Sequence, residues 1–578
     1  MDKGKREICQ NCQKEFRINS EDFDFYEKIK VPAPTFCPDC RLQRRFAFRN
    51  ERTLYKRTCD GTGKSIISVY SLDKPFKVYE RDYYWSDAWD AISYGREYDF
   101  SKNFFLQFKE LQTMVPRINL NANFVYNSDF CNYAGDVKNS YLCFGSIAIE
   151  DCMYGSPYES KNCVDTHLAR ECEFCYECID CEKLSQSIFA QECSNSFNLI
   201  YCFDLKNCQD CIGCVGLRGQ KYNIYNKAYS KDEYLKKKEE LLSNGSRQGL
   251  DNIRREYLKL KGTVPHKFSI EIQCKDVSGN NIVQSKNVHN CFDVKKCEDQ
   301  KYCIRMMDSR NVYDTNYCEF MELSYEYISF WKNTNTKFSN TCGESSGLVY
   351  CDFCYVCTDC FGCVGLRNKS YCIFNKQYSK EEYQKLVPKI IKQMNDLPYV
   401  NSKGIIYKYG EFFPSEMSPF CYNETVAQEY FPLTKPEALS TIYKWKDSEE
   451  RNIKADMISS NIPDTIHEVN EEIIGKIIEC GHKGACKDQC TEAFKIIPEE
   501  FKFYKRMNLP LPVLCPNCRH YARISKRNPF KLWSRSCMCD KQDHFHGNAN
   551  CSVQFETSYA PDRPEVIYCE QCYQKEVY

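Results

Sequence analysis

Between residues 131 and 376 the apolar positions are small and regularly spaced, and many of them are cysteine. Cys131, Cys152, Cys172, Cys193 and Cys214 follow one another at 21, 20, 21 and 21 residues, with Cys143, Cys163, Cys181 and Cys202 as a second series between them. Short polar corners such as Lys138-Asn139-Ser140-Tyr141, Lys161-Asn162-Cys163 and Lys206-Asn207-Cys208 separate them. A recurrence near 20 residues predicts a β-solenoid, each coil stacking its inward side chains on the next. Cysteine suits that inner stack because it is small and readily buried. The pattern occurs twice: residues 208–218 return as 357–367, and 222–227 as 371–376, all at an offset of 149. Each copy closes on a helix opened by a capping box, Ser230 with Glu233 and Ser379 with Glu382.

Other stretches carry helical periods. Residues 96–125, which include the run 104–108, predict a short helix and a linker, 434–445 a short helix, and 236–242 and 252–260 a charged helical spacer broken at Asn244-Gly245. A charged break is expected at 446–451. Residues 462–478 carry apolar side chains at helical spacing, expected to dock the C-terminal module. The aromatic, turn-rich stretch 407–432 has no clean period.

The ends of the chain carry the strongest chemical signal. Cys9-Gln10-Asn11-Cys12 and Cys37-Pro38-Asp39-Cys40-Arg41 are two CxxC knuckles, each offering two thiolates from one tight turn; together they complete a tetrahedron for zinc. The module returns as Cys486, Cys490, Cys515 and Cys518. Phe16, Ile18, Phe23, Phe25, Tyr26, Pro32 and Pro34 reappear as Phe494, Ile496, Phe501, Phe503, Tyr504, Pro510 and Pro512, an offset of 478 throughout. The duplication runs on to Cys59 and Cys537, and then to Val78-Tyr79 and Ile567-Tyr568. There the C-terminal copy adds Cys569 and Cys572 where the N-terminal copy has Glu80 and Tyr83. A third site is expected from Cys537 or Cys539 with Cys569 and Cys572, and Cys551, His544 and His546 compete for the remaining position. Cys480 and His482 read as incidental.

This arrangement resembles the zinc-ribbon, treble-clef-like domain family over residues 5–45 and 484–523. Across almost its whole length the chain resembles large bacterial zinc-ribbon proteins with a cysteine-rich repeat region. The resemblance implies zinc and brings no activity with it.

Composition narrows the function classes. Lys and Arg balance Asp and Glu at 79 each, so no whole-chain field points to nucleic acid or a membrane. There is no run of about 18 apolar residues and no apolar segment behind Met1-Asp2-Lys3-Gly4-Lys5-Arg6, so a reducing cytoplasm is expected, with 41 cysteines serving as metal ligands or buried thiols. A local basic strip follows each CPxCR knuckle: Arg41, Arg45, Arg49 and Arg57, and Arg519, Arg523, Arg527 and Arg535. Aromatic residues lie between them, the combination that single-stranded nucleic acid binding requires. The alternative is that the arginines pair with acids elsewhere in this neutral chain.

No catalytic motif emerges. Asp60-Gly61-Thr62-Gly63-Lys64-Ser65 lacks the first P-loop glycine, since Thr58 holds that position. The CxxC runs 172–181 and 351–363 read as buried thiols, with extra zinc or an iron–sulfur cluster as alternatives; no Cys-Pro follows them. Glu150, Asp151, Asp204 and Asp210 are carboxylates that a polysaccharide-processing solenoid could use, but nothing pairs them across one groove.

The expected architecture is therefore mostly β and multidomain. A zinc-ribbon module spans 1–95, a linker and first solenoid 96–228, a helical spacer 229–262, a second solenoid 263–376, an irregular linker 377–480 and a C-terminal zinc-ribbon module 481–578. The expected function is a cytoplasmic, non-enzymatic binding protein with three Zn2+ sites. RNA or other nucleic acid is the favoured ligand, a protein-binding scaffold the alternative, and a polysaccharide-processing enzyme the distant one.

Overall fold

A computed structural model describes residues 4–447, 453–547 and 549–577. The fold is strand-rich. Its centre is two ladders of strands hydrogen-bonded in nearly sequential order. The first runs from Ala122–Tyr126 to Lys227–Ala228, the second from Glu271–Ile272 to Lys376–Gln377. Pairing within each ladder is parallel, apart from a closing antiparallel hairpin.

The register sets the repeat. Ala122 pairs with Ala134, Asn132 with Phe144, His167 with Ile179 and Phe197 with Gln209, each partner lying twelve positions further on. In the second ladder Lys286 pairs with Glu298 and Arg310 with Glu322, the same step. Most steps are therefore twelve residues, shorter than the cysteine spacing suggests, and a few are eleven, as from Ile147 to Tyr158 and from Glu271 to Ile282. A backbone detail explains the twelve-residue step and the cysteine spacing. Every third residue is left-handed: Asp165, Leu168, Glu171, Phe174, Glu177, Asp180 and Lys183 have φ between 51° and 55°. Each coil thus has four three-residue sides, and one residue per side points inward. A 21-residue interval is one coil plus three sides, so it also joins two inward positions.

Left-handed conformations cost non-glycine residues roughly 1–2 kcal/mol each, and hydrogen bonds between coils offset this. The N–H of a corner residue donates to the carbonyl thirteen residues back, as Glu177 does to Val164 (3.2 Å) and Phe189 to Tyr176 (2.8 Å).

The inward positions explain the cysteines. Cys172, Cys175, Cys178 and Cys181 are four successive sides of the first ladder, and Cys351, Cys354, Cys357, Cys360 and Cys363 are five of the second; all are at most 2% exposed. An inward residue's N–H often meets no backbone carbonyl and is met instead by the side chain one coil below. Cys172 N donates to Ser160 Oγ (3.0 Å), Cys351 N to Ser339 Oγ (3.0 Å), Leu205 N to Cys193 Sγ (3.4 Å) and Cys354 N to Cys342 Sγ (3.4 Å). The thiol's own proton goes to a carbonyl two residues back, as from Cys193 to Gln191 (3.3 Å). Serine and cysteine are small enough for the coil and polar enough to satisfy its buried backbone. No ladder cysteine belongs to a cluster that could hold a metal, among the described residues.

Helices fall where their caps indicate. Lys231–Leu242 and Lys380–Asp396 both begin with complete capping boxes at Ser230 and Ser379. Phe104–Met114 and Lys435–Ser440 are helical, as expected in outline. The spacer is Lys231–Leu242 and Arg247–Lys261, separated at Ser243–Gly245. Residues 462–478 are not an α-helix: they form 3-10 turns at Ile466–Glu468 and Glu471–Ile473. Ile462, Ile466, Val469 and Ile473 still share a core with Phe494, Phe501 and Phe503 of the C-terminal module. Of the charged break at 446–451, residues 448–451 lie outside the described residues.

Replacing Cys193 by valine strands the Leu205 N–H and is expected to cost about 1–3 kcal/mol; serine preserves the acceptor and is expected to cost less. Urea denaturation of the two variants checks this, and metal content should be unchanged in both.

Candidate metal centres and the arginine clamps

Four thiols gather at each end of the chain. Cys9 leaves the strand Lys5–Ile8, and Cys12 precedes the strand Glu15–Ile18 that pairs with it; Cys37 caps the helix Pro38–Phe46, and Cys40 lies in its first turn. The four sulfurs lie within 4.8 Å of one another, Cys12 and Cys37 at 3.6 Å. Zinc–thiolate bonds of about 2.3 Å give a tetrahedron whose edges are roughly 3.8 Å. The group has the size of a metal-ion site.

The C-terminal copy gathers a different set of four sulfurs from the one the spacing predicts, and Cys486 falls in a second group with His482, Asp488 and Cys518. Cys480, Cys490, Cys515 and Cys518 form the four-sulfur group, with edges of 3.9 Å from Cys480 to Cys518 and from Cys490 to Cys515. Cys480, not Cys486, is the structural counterpart of Cys9. Glu7 faces Phe16 across the N-terminal hairpin as Ile478 faces Phe494 across the C-terminal one. Cys9 N donates to Lys14 O (3.0 Å) as Cys480 N donates to Glu492 O (2.7 Å). The C-terminal knuckle is seven residues longer, and Cys486 sits in that insertion with its sulfur 3.6 Å from Cys518 Sγ. The expected CxxxC spacing therefore joins a neighbour of the site to one of its ligands. The strand residues before Cys480, Ile478-Glu479, share no residue pattern with Glu7-Ile8 before Cys9, so hairpin register rather than sequence identifies the counterpart.

A third group is Cys537, Cys551, Cys569 and Cys572, all at most 7% exposed. Cys551 takes the position for which several residues compete, and Cys539 stands outside this group. Cys537 and Cys551 flank the tip of the hairpin joining Trp533–Ser536 to Gln554–Thr557. Cys569 and Cys572 come from the start of the last helix, and Cys569 N donates to Cys537 Sγ at 3.2 Å. In the N-terminal copy Cys59, Thr62, Glu80 and Tyr83 hold the equivalent places. Glu80 N still donates to Cys59 Sγ (3.2 Å), but a Cβ on Gly61 would come within 2.4 Å of the Tyr83 ring. An aromatic ring packs where the other copy brings thiols together.

The eight arginines expected to form a nucleic-acid surface lie elsewhere than on a free face. Arg41, Arg45, Arg49 and Arg57 are 0–7% exposed, as are Arg519 and Arg523, and the Arg527 side chain is 8% exposed. Two stacked carboxylates on successive coils receive each helix. Arg41 reaches Asp314 (2.8 Å), and Arg45 reaches Asp314 (3.1 Å) and Glu326 (2.7 Å). Arg519 reaches Asp165 (3.2 Å), and Arg523 reaches Asp165 (2.7 Å) and Glu177 (2.9 Å). Arg49 donates to Ser329 Oγ (2.6 Å), and its counterpart Arg527 pairs with Asp180 and Asp293 (2.8 Å each). Arg57 and the half-buried Arg535 donate to the equivalent carbonyls of Ser71 and Ala560. The N-terminal module thus clamps the second ladder, and the C-terminal module clamps the first and, through Arg527 and Asp293, also reaches the second.

The environment explains the electrostatics. Burial pushes the Asp165 carboxyl up, against the pull of Arg519 and Arg523. Glu177 meets the same burial, but Lys526 and Arg523 outweigh it and hold it below the usual carboxylate range. Arg44 joins the N-terminal cluster through Glu326 (3.0 Å) and Glu411 (3.2 Å), so that three guanidinium groups face three carboxylates.

Two of the carboxylates of the polysaccharide alternative are held in ion pairs. Glu150 bridges Lys138 (2.6 Å) and Lys161 (3.0 Å), Asp204 is held by Arg218 (2.8 Å) and Tyr573, and Asp151 and Asp210 are left-handed corners. Two cavities beside the modules, one lined by Glu51, Arg52, Glu429 and Tyr521 and the other by Cys40, Arg44 and Tyr407, have volumes of about 10 Å³ each. Each has room for about one water. Among the described residues no helix is long and apolar enough to cross a membrane.

Cys480→Ser should remove one metal ion per chain while Cys486→Ser removes none from the four-sulfur site, read by elemental analysis of the purified protein. Arg523→Ala leaves the buried Asp165 with Arg519 alone and Glu177 with Lys526 alone, and should cost up to about 3–5 kcal/mol in urea denaturation.

No family model matches the chain, and no curated protein matches it. Among solved structures, a chain named as a "putative acetyltransferase" from Desulfovibrio desulfuricans G20 is 9% identical over 43% of this chain and 68% of its own, with a TM-score of 0.10. That value carries no argument about fold or activity.

Proposed function

We propose that this chain is a zinc-stapled, non-enzymatic scaffold that binds a protein partner, with zinc-ribbon modules clamped on two short β-solenoids. The observation carrying this reading is the burial of the arginine strips: the residues that nucleic acid would need are already neutralised by Asp165, Glu177, Asp314 and Glu326. Zinc as the metal is supported by the all-thiol donor sets and their tetrahedral spacing.

Support for a protein partner comes from the open end of the first ladder. Ala122–Tyr126 is its edge strand, and it carries Phe124 and Tyr126, 88% and 69% exposed. An edge strand offers unpaired backbone groups for strand addition, and exposed aromatic residues supply contact area at low entropic cost. In affinity capture after nuclease treatment, a partner bound by the parent protein should be lost from a Phe124→Asp, Tyr126→Asp variant. The protein purified at low salt should show the 260/280 nm absorbance ratio of protein alone. Nuclease-sensitive material that leaves at high salt, together with capture unaffected by the edge-strand variant, would overturn the reading.

A further inference from the structure

We propose that the C-terminal module holds two metal ions, with the Cys572 thiolate shared between them. This rests on the zinc reading above. The first ion takes Cys537, Cys551, Cys569 and Cys572. A second group, Cys539, His544, His546 and Cys572, also has its ligand atoms within 4.8 Å of one another and uses the same sulfur.

Three observations point to a ligand at this second group. The first is its origin. The hairpin tip between Cys537 and Cys551 is eleven residues longer than its counterpart between Cys59 and Thr62, and the added residues bring Cys539, His544 and His546.

The second is the orientation of the rings. His544 Nδ1 lies 3.3 Å from Cys539 Sγ, while its Nε2 lies 3.0 Å from Glu576 Oε1. A proton on Nε2 donated to Glu576 leaves the Nδ1 lone pair facing the cluster, the carboxylate–histidine arrangement that orients a metal ligand. His546 is fixed in the opposite sense: Nδ1 donates to Ala549 O at 2.6 Å, which leaves Nε2 as the acceptor.

The third is an unmet need. His546 Nε2 is a buried atom with no hydrogen-bond partner. A buried acceptor without a partner is costly, and a metal ion would satisfy it. Cys539, only 1% exposed, likewise has Cys572 and two imidazoles as its polar surroundings in the group. Two sulfurs and two imidazole nitrogens make an ordinary tetrahedral zinc set. Five thiolates and two neutral imidazoles around two divalent cations leave one net negative charge, whereas one cation would leave three if all five thiols were ionised.

Zinc is counted per chain in the full-length protein by elemental analysis, alongside Cys9→Ser, His546→Ala, Cys539→Ser and Cys572→Ser. Four zinc ions are expected in the parent chain. His546→Ala and Cys539→Ser should each leave three, and Cys572→Ser two. Reconstitution with cobalt provides a second readout besides metal count. A shared thiolate couples the two ions magnetically, so the parent should show less paramagnetic signal per cobalt than His546→Ala. Three zinc ions in the parent, unchanged in His546→Ala, with no difference in signal per cobalt, would overturn the two-metal centre. That result would leave the zinc reading intact provided Cys9→Ser loses one ion; no loss from Cys9→Ser would instead sink the zinc reading itself.

Discussion

Four carboxylates at ladder corners, each facing arginines from a distant helix, hold this molecule in one piece. Asp165 and Glu177 occupy the same corner of successive coils, and so do Asp314 and Glu326; the two pairs are themselves related by the 149-residue duplication. Arginines four residues apart on a helix project from one face, so a helix laid across two coils brings Arg519 and Arg523, or Arg41 and Arg45, to both acids. Buried ion pairs of this kind add little net stability over well-packed apolar residues, because desolvation absorbs most of the attraction. What they contribute here is position. A guanidinium without its acids could not remain inside, so the helix has one seat on the ladder.

The four-thiol groups stand at the start of the helices that take that seat. Pro38–Phe46 begins at Cys37, and Pro516–Ile524 begins at Cys515, so the thiol group fixes the first turn of the same helix that carries the arginines. Glu500 and Tyr504 join the two: Arg519 reaches Glu500 at 3.3 Å, and Tyr504 packs edge-on against Tyr176 of the ladder at 5.6 Å. Tyr26 and Tyr325 repeat this contact at 5.5 Å on the other side. The tyrosine contact and the two-arginine, two-carboxylate pairing therefore recur in both docked units, whereas Asp22, the counterpart of Glu500, pairs with Lys301 at 2.7 Å.

Much of this is legible in the sequence because duplication writes the same message twice. The offsets of 478 and 149, the capping boxes at Ser230 and Ser379, and the thiols of the N-terminal knuckles can all be read there. The length of the coil cannot. Its inward positions accept Cys, Ser, Ala, Leu and Val alike, so cysteine alone samples the period irregularly. Its corners are set by left-handed backbone that Leu168, Phe174 and Lys183 adopt here without any glycine to mark it. Cys480 escapes a reading by spacing because insertion moves it out of the CxxC pattern, although hairpin register preserves its place. The arginines mislead for a different reason. A basic strip reads as a surface until its acids are located, and the acids that meet Arg45 and Arg523 lie between 269 and 358 residues away along the chain.

The crossed clamping constrains how the protein can be made. Arg523 follows Asp165 by 358 residues and Glu177 by 346. At about 5–20 residues per second of synthesis, the first ladder leaves the ribosome tens of seconds before the helix that covers its acids. During that interval the carboxylates must stay in water, and that side of the ladder stays open. Folding therefore cannot finish in the order of translation. The module that covers the acids of the first ladder emerges only after the second ladder has been made.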